Sequence, residues 1–301
     1  MFDGIINVYK EKGYTSHDVV AKMRGILKMK KIGHTGTLDP DAEGVLPVCV
    51  GKATKLVDLI TDKDKTYKAV CKLGITTDTQ DITGKVITSC EVNTNQKELE
   101  KVINSYIGEY LQLPPMYSAI KVDGKKLYEL ARQGKEIERE RRRVIINNIC
   151  LLDYDEIDQE FTVVVECGKG TYIRTLLHDI GESLGCGATM KSLTRTAVGA
   201  FKLEESLKLS EIEALVREDK LQPHILTIDE VFSHYPKIVV ANEFNKLIYN
   251  GNLFTPEHVQ GSLLQETETD VVRVFDSEEH FIGLYTYLSD EKLYKPMKMF
   301  L

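Results

Sequence analysis

The spacing of apolar and polar positions changes several times along the chain, and each change marks an element. Ile5 to Tyr9 reads as a short opening strand. Val19, Val20, Met23, Ile26 and Leu27 then share one face of a helix that Ser16 is placed to cap. Val45 to Val50 is a continuous apolar, strand-like run, and Thr66 to Leu73 reads as another strand. Leu99, Val102, Ile103, Tyr106 and Ile107 form a helical stripe that stops at Gly108. A short helix fits between Gly124 and Gly134, and branched residues predict strands over Val144 to Leu152 and Phe161 to Cys167. Ile173, Leu176, Leu177, Ile180 and Leu184 then mark a helix ending near Gly185. Ser210-Glu211-Ile212-Glu213 has a capping-box pattern at the start of an amphipathic helix. From about Tyr235 the character changes. Strand-like runs at Ile238 to Ala241, Val271 to Phe275 and Phe281 to Tyr287 are punctuated by Asn250-Gly251, Gly261 and Gly283, which predicts a small β-rich unit.

At 301 residues the chain can hold one large domain with a substantial core and a small second one. Its six cysteines, at 49, 71, 90, 150, 167 and 186, contain no Cys-x-x-Cys pair, so scattered thiols are expected rather than a metal site. No apolar run approaches membrane-spanning length and no signal peptide is evident, which gives the expectation of a cytoplasmic protein. The net charge of −7 argues against a nucleic-acid partner only until its distribution is read. Residues 203–301 carry 9 Lys+Arg against 18 Asp+Glu, leaving 30 and 28 of the chain's 39 and 46 for residues 1–202. Within that near-neutral part the bases cluster. Lys22, Arg24, Lys28, Lys30 and Lys31 come with no acid among them, and Arg139, Arg141, Arg142 and Arg143 form a second knot. Such patches can hold phosphates on a body of modest overall charge.

The first patch leads into the loop Gly33-His34-Thr35-Gly36-Thr37-Leu38-Asp39-Pro40-Asp41-Ala42-Glu43-Gly44. Pro40 pushes Asp39 toward an extended backbone, and the bounding glycines permit tight turns on either side. A short carboxylate thus stands at the crest of a stiff bend. By itself such an Asp-Pro step is most simply a solvated turn.

The same residues, continued by Ala42, Gly44, Leu46-Pro47 and Gly51-Lys52-Ala53-Thr54-Lys55, resemble the signature of the bacterial tRNA pseudouridine synthase B family. Gly170-Thr171-Tyr172-Ile173-Arg174 and Leu193-Thr194-Arg195-Thr196-Ala197-Val198-Gly199 are further blocks similar to that family, as are Leu113 to Lys121 and Gly74 to Gly84. The resemblance implies an α+β pseudouridine synthase fold over residues 1–234, with a central mixed or antiparallel sheet flanked by helices. It also implies a mobile, basic thumb insertion at about 115–143 that closes over RNA, and a small PUA-like β domain over 235–301. Between Lys121 and Arg143 there are nine basic and five acidic residues, which suits closure onto phosphates. Asp39 is implied as the catalytic carboxylate, Arg174 as its partner and Tyr67 as the ring that stacks on the target base. Tyr172 and Leu193 would enclose that base. His34 is placed either to contact the flipped nucleotide or to be tied into its own loop. Lys10 falls in a Lys-Pro-x-Gly-like step and is taken with the substrate-binding set, with Glu11 where proline is usual in the family. The implied substrate is uridine 55 in the T-arm of tRNA. No metal, no cofactor and no obligatory protein partner are expected.

Three rivals make distinct expectations. A glycosidase would pair Asp39 with Asp41 or Glu43, but the chain has no tryptophan and few aromatics near that loop. A tRNA-remodelling module without chemistry would not need the carboxylate. A guide-dependent synthase would need partner proteins, against which the continuous basic thumb argues.

Overall fold

Branched residues at alternate positions build strands wherever one face can be buried, and here they build two large sheets beside two short two-stranded ones. The computed structural model describes residues 2–122, 124–261 and 270–301. The chain begins with β1 (Gly4–Lys10), α1 (Ser16–Leu27), β2 (Ile32–His34), β3 (Glu43–Val50), α2 (Val57–Thr61) and β4 (Lys65–Leu73). A hairpin of β5 (Ile75–Thr77) and β6 (Val86–Ser89) precedes α3 (Gln96–Asn104) and β7 (Gly108–Gln112). The thumb region holds β8 (Lys121–Val122), β9 (Lys125–Lys126) and α4 (Leu127–Ala131). Then come β10 (Arg142–Asp155), β11 (Glu160–Cys167), α5 (Ile173–Ser183), β12 (Ala188–Val198), β13 (Phe201–Lys202), α6 (Leu209–Arg217), β14 (Ile225–Leu226) and α7 (Ile228–Val231). A second sheet of four strands follows: β15 (Lys237–Val239), β16 (Val271–Phe275), β17 (Phe281–Leu288) and β18 (Leu293–Met299), with α8 (Asn245–Tyr249) after the first.

The main sheet runs β14-β1-β3-β12-β4-β11-β10-β7, with β2 on β3 and β13 on β12. It is antiparallel except where β3 meets β12, a short parallel contact of Glu43 and Gly44 with Thr194 and Arg195. Two halves of the sheet join there, directly behind the Asp39 loop. Gly44 is required at this junction: its φ is +108°, and a Cβ would lie 2.2 Å from the Arg195 carbonyl oxygen. One core lies under α3 and α5, where Leu99, Ile103, Leu176 and Ile180 pack on Tyr67, Ala69, Phe161 and Val163. A second lies under α1 and α6, and a third joins Ile5, Val45, Leu56, Ile228 and Phe232 to Leu284 and Phe300 of the C-terminal sheet. Among the described residues no helix is long and apolar enough to cross a membrane.

Several local expectations are corrected. Thr15, not Ser16, caps α1: its hydroxyl accepts from the Asp18 N–H at 3.0 Å, while Asp18 accepts from the Thr15 N–H at 2.8 Å. Ser16 is buried, and its Oγ accepts instead from the Leu38 N–H at 3.0 Å, tying the helix to the Asp39 loop. α3 ends at Asn104 and Tyr106 packs from the following turn, where its hydroxyl meets Ser183 at 2.9 Å. α6 begins at Leu209, so Ser210 lies inside it, and Glu211 reaches back to the Lys208 N–H at 2.7 Å. The strand expected to reach Ala241 stops at Val239. β7 and β18 were not anticipated. β18 is an edge strand and carries Pro296, a residue that edges tolerate.

Candidate active site

The loop between β2 and β3 has no regular structure of its own, so side chains and turns hold it. Leu38 is buried in the same core as Tyr67 and Ile173, which anchors the residue before Asp39 by roughly 1.5–3 kcal/mol. Its N–H goes to Ser16, the Ala42 N–H returns to the Asp39 carbonyl at 3.1 Å, and the Gly13 N–H reaches the Pro40 carbonyl at 2.9 Å. Thr35 fixes the other flank, its N–H and hydroxyl both donating to the Pro47 carbonyl at 3.1 Å.

Two buried cations complete the scaffold beneath the loop. Lys10 is fully buried, and its ammonium donates to the carbonyls of Ala42 (2.5 Å), Pro40 (3.1 Å) and Glu11 (3.2 Å). Burial pushes its pKa down to about 8, partly offset by Asp39 and Asp41. Lys10, expected among the substrate-binding residues, thus also supports the backbone of the loop, even with Glu11 in place of proline. Arg195, buried on β12, donates through Nε to the Val45 carbonyl at 2.7 Å and lies 3.5 Å from the Gly36 carbonyl through Nη2.

Arg174, in the first turn of α5, grips Asp39 from the side. Nε lies 2.9 Å from Oδ2 and Nη2 donates to Oδ1 at 3.2 Å, the two-pronged match of guanidinium to carboxylate. The same guanidinium donates to the carbonyls of Thr79 (2.9 Å) and Tyr117 (2.8 Å), and Nη1 stands 3.7 Å from Asp81 Oδ2. One side chain thus fastens the Asp39 loop, the β5–β6 turn and the root of the thumb to α5. Its side chain is only 5 % exposed, whereas that of Asp39 is 40 % exposed. The carboxylate is gripped on one edge and open on the other.

The remaining expected residues lie on β2, β4, β12 and the turn before α5. Tyr67 on β4 is buried directly across the ladder from Arg195; burial pushes its phenol pKa up and Arg195 pulls it back. Leu193 is buried on β12 opposite Ala69, in one core with Tyr67 and Leu38. Tyr172 is the residue before α5, half-buried, its phenol raised by burial. His34 lies at the end of β2. Its Nδ1 accepts weakly from the Gly36 N–H at 3.4 Å, its ring meets His17 edge-on at 5.2 Å, and burial followed by the His17 charge lowers its pKa. That leaves it a neutral, loop-tied imidazole at pH 7.

The sequence reading missed three participants. Asp81, within the polar Gly74–Gly84 stretch, is the second carboxylate on Arg174. Its Oδ1 accepts from the Thr79 and Thr83 hydroxyls at 2.8 and 2.5 Å. Arg195 stood inside a quoted block without a role. Gln112 accepts from the Tyr172 N–H at 2.8 Å and donates to its carbonyl at 2.9 Å. The acids proposed as glycosidase partners do not share the guanidinium: Asp41 is exposed and Glu43 stands 3.4 Å from the Thr194 hydroxyl. Among the described residues no group of His, Cys, Asp or Glu is arranged to hold a metal ion.

The second basic knot is partly committed to structure. Arg139 donates to the Pro114 carbonyl at 3.1 Å, Arg141 to the Leu111 carbonyl at 2.9 Å, and Arg143 pairs with Glu109 at 3.1 Å.

Comparison with known proteins gives one consistent answer. Residues 24–173 match the family model described as TruB family pseudouridylate synthase (N terminal domain), and residues 174–233 match tRNA pseudouridylate synthase B C-terminal domain. The chain is 53 % identical to tRNA pseudouridine synthase B of Lachnoclostridium phytofermentans, over 99 % of this chain and all of that one. It is 42 % identical to the protein of the same name from Bacillus subtilis, over 99 % and 98 % of the two chains. Among solved structures, a Cbf5-Nop10-Gar1 complex aligns at TM-score 0.73 and 27 % identity over 99 % of this chain and 85 % of that one. An H/ACA RNP bound to a substrate RNA containing 2′-deoxyuridine aligns at TM-score 0.72 and 25 % identity, with the same coverage.

Proposed function

We propose that this chain, which belongs to the TruB family of tRNA pseudouridine synthases, isomerises uridine 55 of the tRNA T-loop and uses Asp39 as the carboxylate that acts at ribose C1′. The reaction breaks the bond from C1′ to uracil N1, turns the base and joins C1′ to C5; the C5 proton leaves and N1 regains one. Apart from this exchange of one proton with solvent, no external atom enters the product. The observation that carries this reading is the Asp39 carboxylate, held through both oxygens by Arg174 yet 40 % exposed, next to a core that contains Leu38, Tyr67 and Leu193. A carboxylate so fixed can attack C1′ or stabilise positive charge there without reorganising.

The target base must leave its stack to reach this site, which costs a few kcal/mol. In this reading Tyr67, Tyr172 and Leu193 receive the base, His34 lies at the rim, and the basic surfaces of α1 and the thumb offset the extrusion through backbone phosphates. Residues 1–234 form the catalytic unit, and 235–301 a PUA-like accessory domain. The solved structures of the neighbours are of complexes, a Cbf5-Nop10-Gar1 complex and an H/ACA RNP; in this reading the present chain acts on the tRNA T-arm without a partner protein, in the cytoplasm.

The test is a tRNA transcript labelled with tritium at uridine C5. The purified protein alone releases label, stoichiometric with position 55, and Asp39→Asn releases none while still binding tRNA. Release by Asp39→Asn at the wild-type rate, or a requirement for a second protein or guide RNA, would overturn the proposal.

A further inference from the structure

Gln112 is the last residue of β7 and only 1 % exposed, although a primary amide is polar at both ends. Both ends are used on one partner. Its Oε1 takes the Tyr172 N–H at 2.8 Å and its Nε2 donates to the Tyr172 carbonyl at 2.9 Å. This reproduces with a side chain the paired bonds that two residues exchange across an antiparallel ladder. Tyr172 is the extended residue that leads into α5 (φ −97°, ψ 107°); its side chain does not cap the helix, and its carbonyl also accepts the Leu176 N–H at 3.1 Å.

The position of this clamp matters more than the satisfaction of one peptide. The backbone of Gln112 pairs with Arg142, so the two chains that enter and leave the thumb meet at this residue. Arg141 and Arg139 fasten Leu111 and Pro114 on either side of it. Five residues further on, the Tyr117 carbonyl takes Arg174 Nη2 at 2.8 Å. The thumb root therefore holds Tyr172 through Gln112 and Arg174 through Tyr117, and these two residues stand on either side of Ile173 at the start of α5.

We propose that Gln112 is a positioning residue for the isomerisation: its amide fixes the Tyr172 backbone, and through it the start of α5, so that the base pocket and the Arg174 grip on Asp39 keep their register with the thumb root. The inference rests on the site reading above and adds a residue that touches neither base nor ribose.

Two substitutions test it by single-turnover tritium release between pH 5.5 and 8.5, with tRNA binding and thermal melting followed in parallel. Gln112→Leu keeps the approximate volume and removes both bonds; release slows at least tenfold while tRNA affinity stays within threefold. Gln112→Glu retains the acceptor, but when ionised it sets a carboxylate oxygen against the Tyr172 carbonyl. When protonated, the introduced carboxyl regains a donor and an acceptor in the geometry of the amide. Burial raises its pKa above that of an exposed glutamate. Arg142 across the ladder opposes that rise; the Tyr110 phenol faces the residue 112 side chain and is itself held by Asp179, whose negative charge reinforces the rise. The rate of Gln112→Glu relative to wild type therefore climbs as pH falls, whereas Gln112→Leu relative to wild type stays flat. If Gln112→Leu does not fold, the ratio of Gln112→Glu to wild type across pH still decides. Wild-type rates for Gln112→Leu, a pH-independent ratio for Gln112→Glu, or a loss confined to tRNA binding overturns the inference and leaves Asp39 chemistry intact. No release from the wild-type protein overturns the site reading, and this inference with it.

Discussion

Arg174→Lys keeps the positive charge beside Asp39 and removes the fork. The guanidinium makes four contacts of 3.2 Å or less, two to Asp39 and one each to the carbonyls of Thr79 and Tyr117. An ammonium is a point charge with three donors and cannot span both carboxylate oxygens and two carbonyls on opposite sides. The substitution thus forfeits about two charge-assisted bonds, each worth roughly 1.5–3 kcal/mol. Part returns as water enters, because Asp39 is 40 % exposed and its pairing is screened accordingly. About 3–4 kcal/mol of misplacement at the transition state remains, which is roughly 10²–10³ in rate.

The assay is single-turnover tritium release with enzyme in excess over tRNA, beside filter binding. The expected pattern is a rate lower by that factor, tRNA affinity within about threefold, and a melting temperature lower by no more than about 2–4 °C per kcal/mol lost. Arg174→Met falls further, since it leaves Asp81 as well as Asp39 without a cation. A variant Arg174→Lys reacting within threefold of wild type would show that bidentate alignment of Asp39 is not what the site supplies. So would a defect that lay wholly in tRNA affinity.

Lys10 should give the pH–rate profile an alkaline limb near its pKa of about 8: above it the amine loses the charge that holds three carbonyls, and release slows. Lys10→Met should be slow throughout and lack that limb. The stability effect has the opposite sign, because the folded pKa lies below the unfolded value of about 10.5, so this group's contribution to stability rises from pH 8 to 10.5, measurable as the difference in melting curves of wild type and Lys10→Met. His34 is also depressed in the folded state, so its contribution is present above about pH 6.5 and is lost as pH falls toward its folded pKa; His34→Gln should flatten the acid side of the melting-temperature profile. Removing residues 235–301 strips Leu284 and Phe300 from the core shared with Ile228 and Phe232, a loss of roughly 3–6 kcal/mol. The melting temperature should fall on the order of 10 °C, and an unchanged melt would show that this shared core carries no stability.

The elements legible in the sequence were those whose own pattern decides them. Val45 to Val50 and Phe161 to Cys167 are strands because their branched residues match a buried sheet, and α5 keeps its apolar stripe to the turn before Gly185. Errors fell where two local solutions compete. Thr15 and Ser16 are both good caps, and only the approach of Leu38 decides that Ser16 serves the loop instead. The stripe through Tyr106 runs on past α3 because a turn delivers that ring to the same core. In the site, Asp39 and Arg174 were recognisable from local blocks, whereas Asp81, Arg195 and Gln112 act through partners 60 to 159 residues away along the chain, well beyond any periodicity. A lysine at the end of an alternating strand gave no sign that Lys10 turns under a loop rather than out to water.

Those missed residues share a physical purpose. An irregular loop cannot satisfy its own backbone as a helix or strand does, so carbonyls of Gly36, Pro40, Ala42 and Val45 need donors brought from elsewhere. Lys10 and Arg195 supply them from inside the protein, and Arg174 supplies the carboxylate's partner from α5. Burying three cations around one loop is poor economy for stability, since desolvation offsets much of each attraction. It suits the proposed chemistry, in which the dipoles and charges that would meet the ribose are in place before the nucleotide arrives and need not reorganise as charge develops at C1′. The half-open Asp39 side chain is the one part of that network left facing outward. Every other contact described around it acts to keep its open edge where it is.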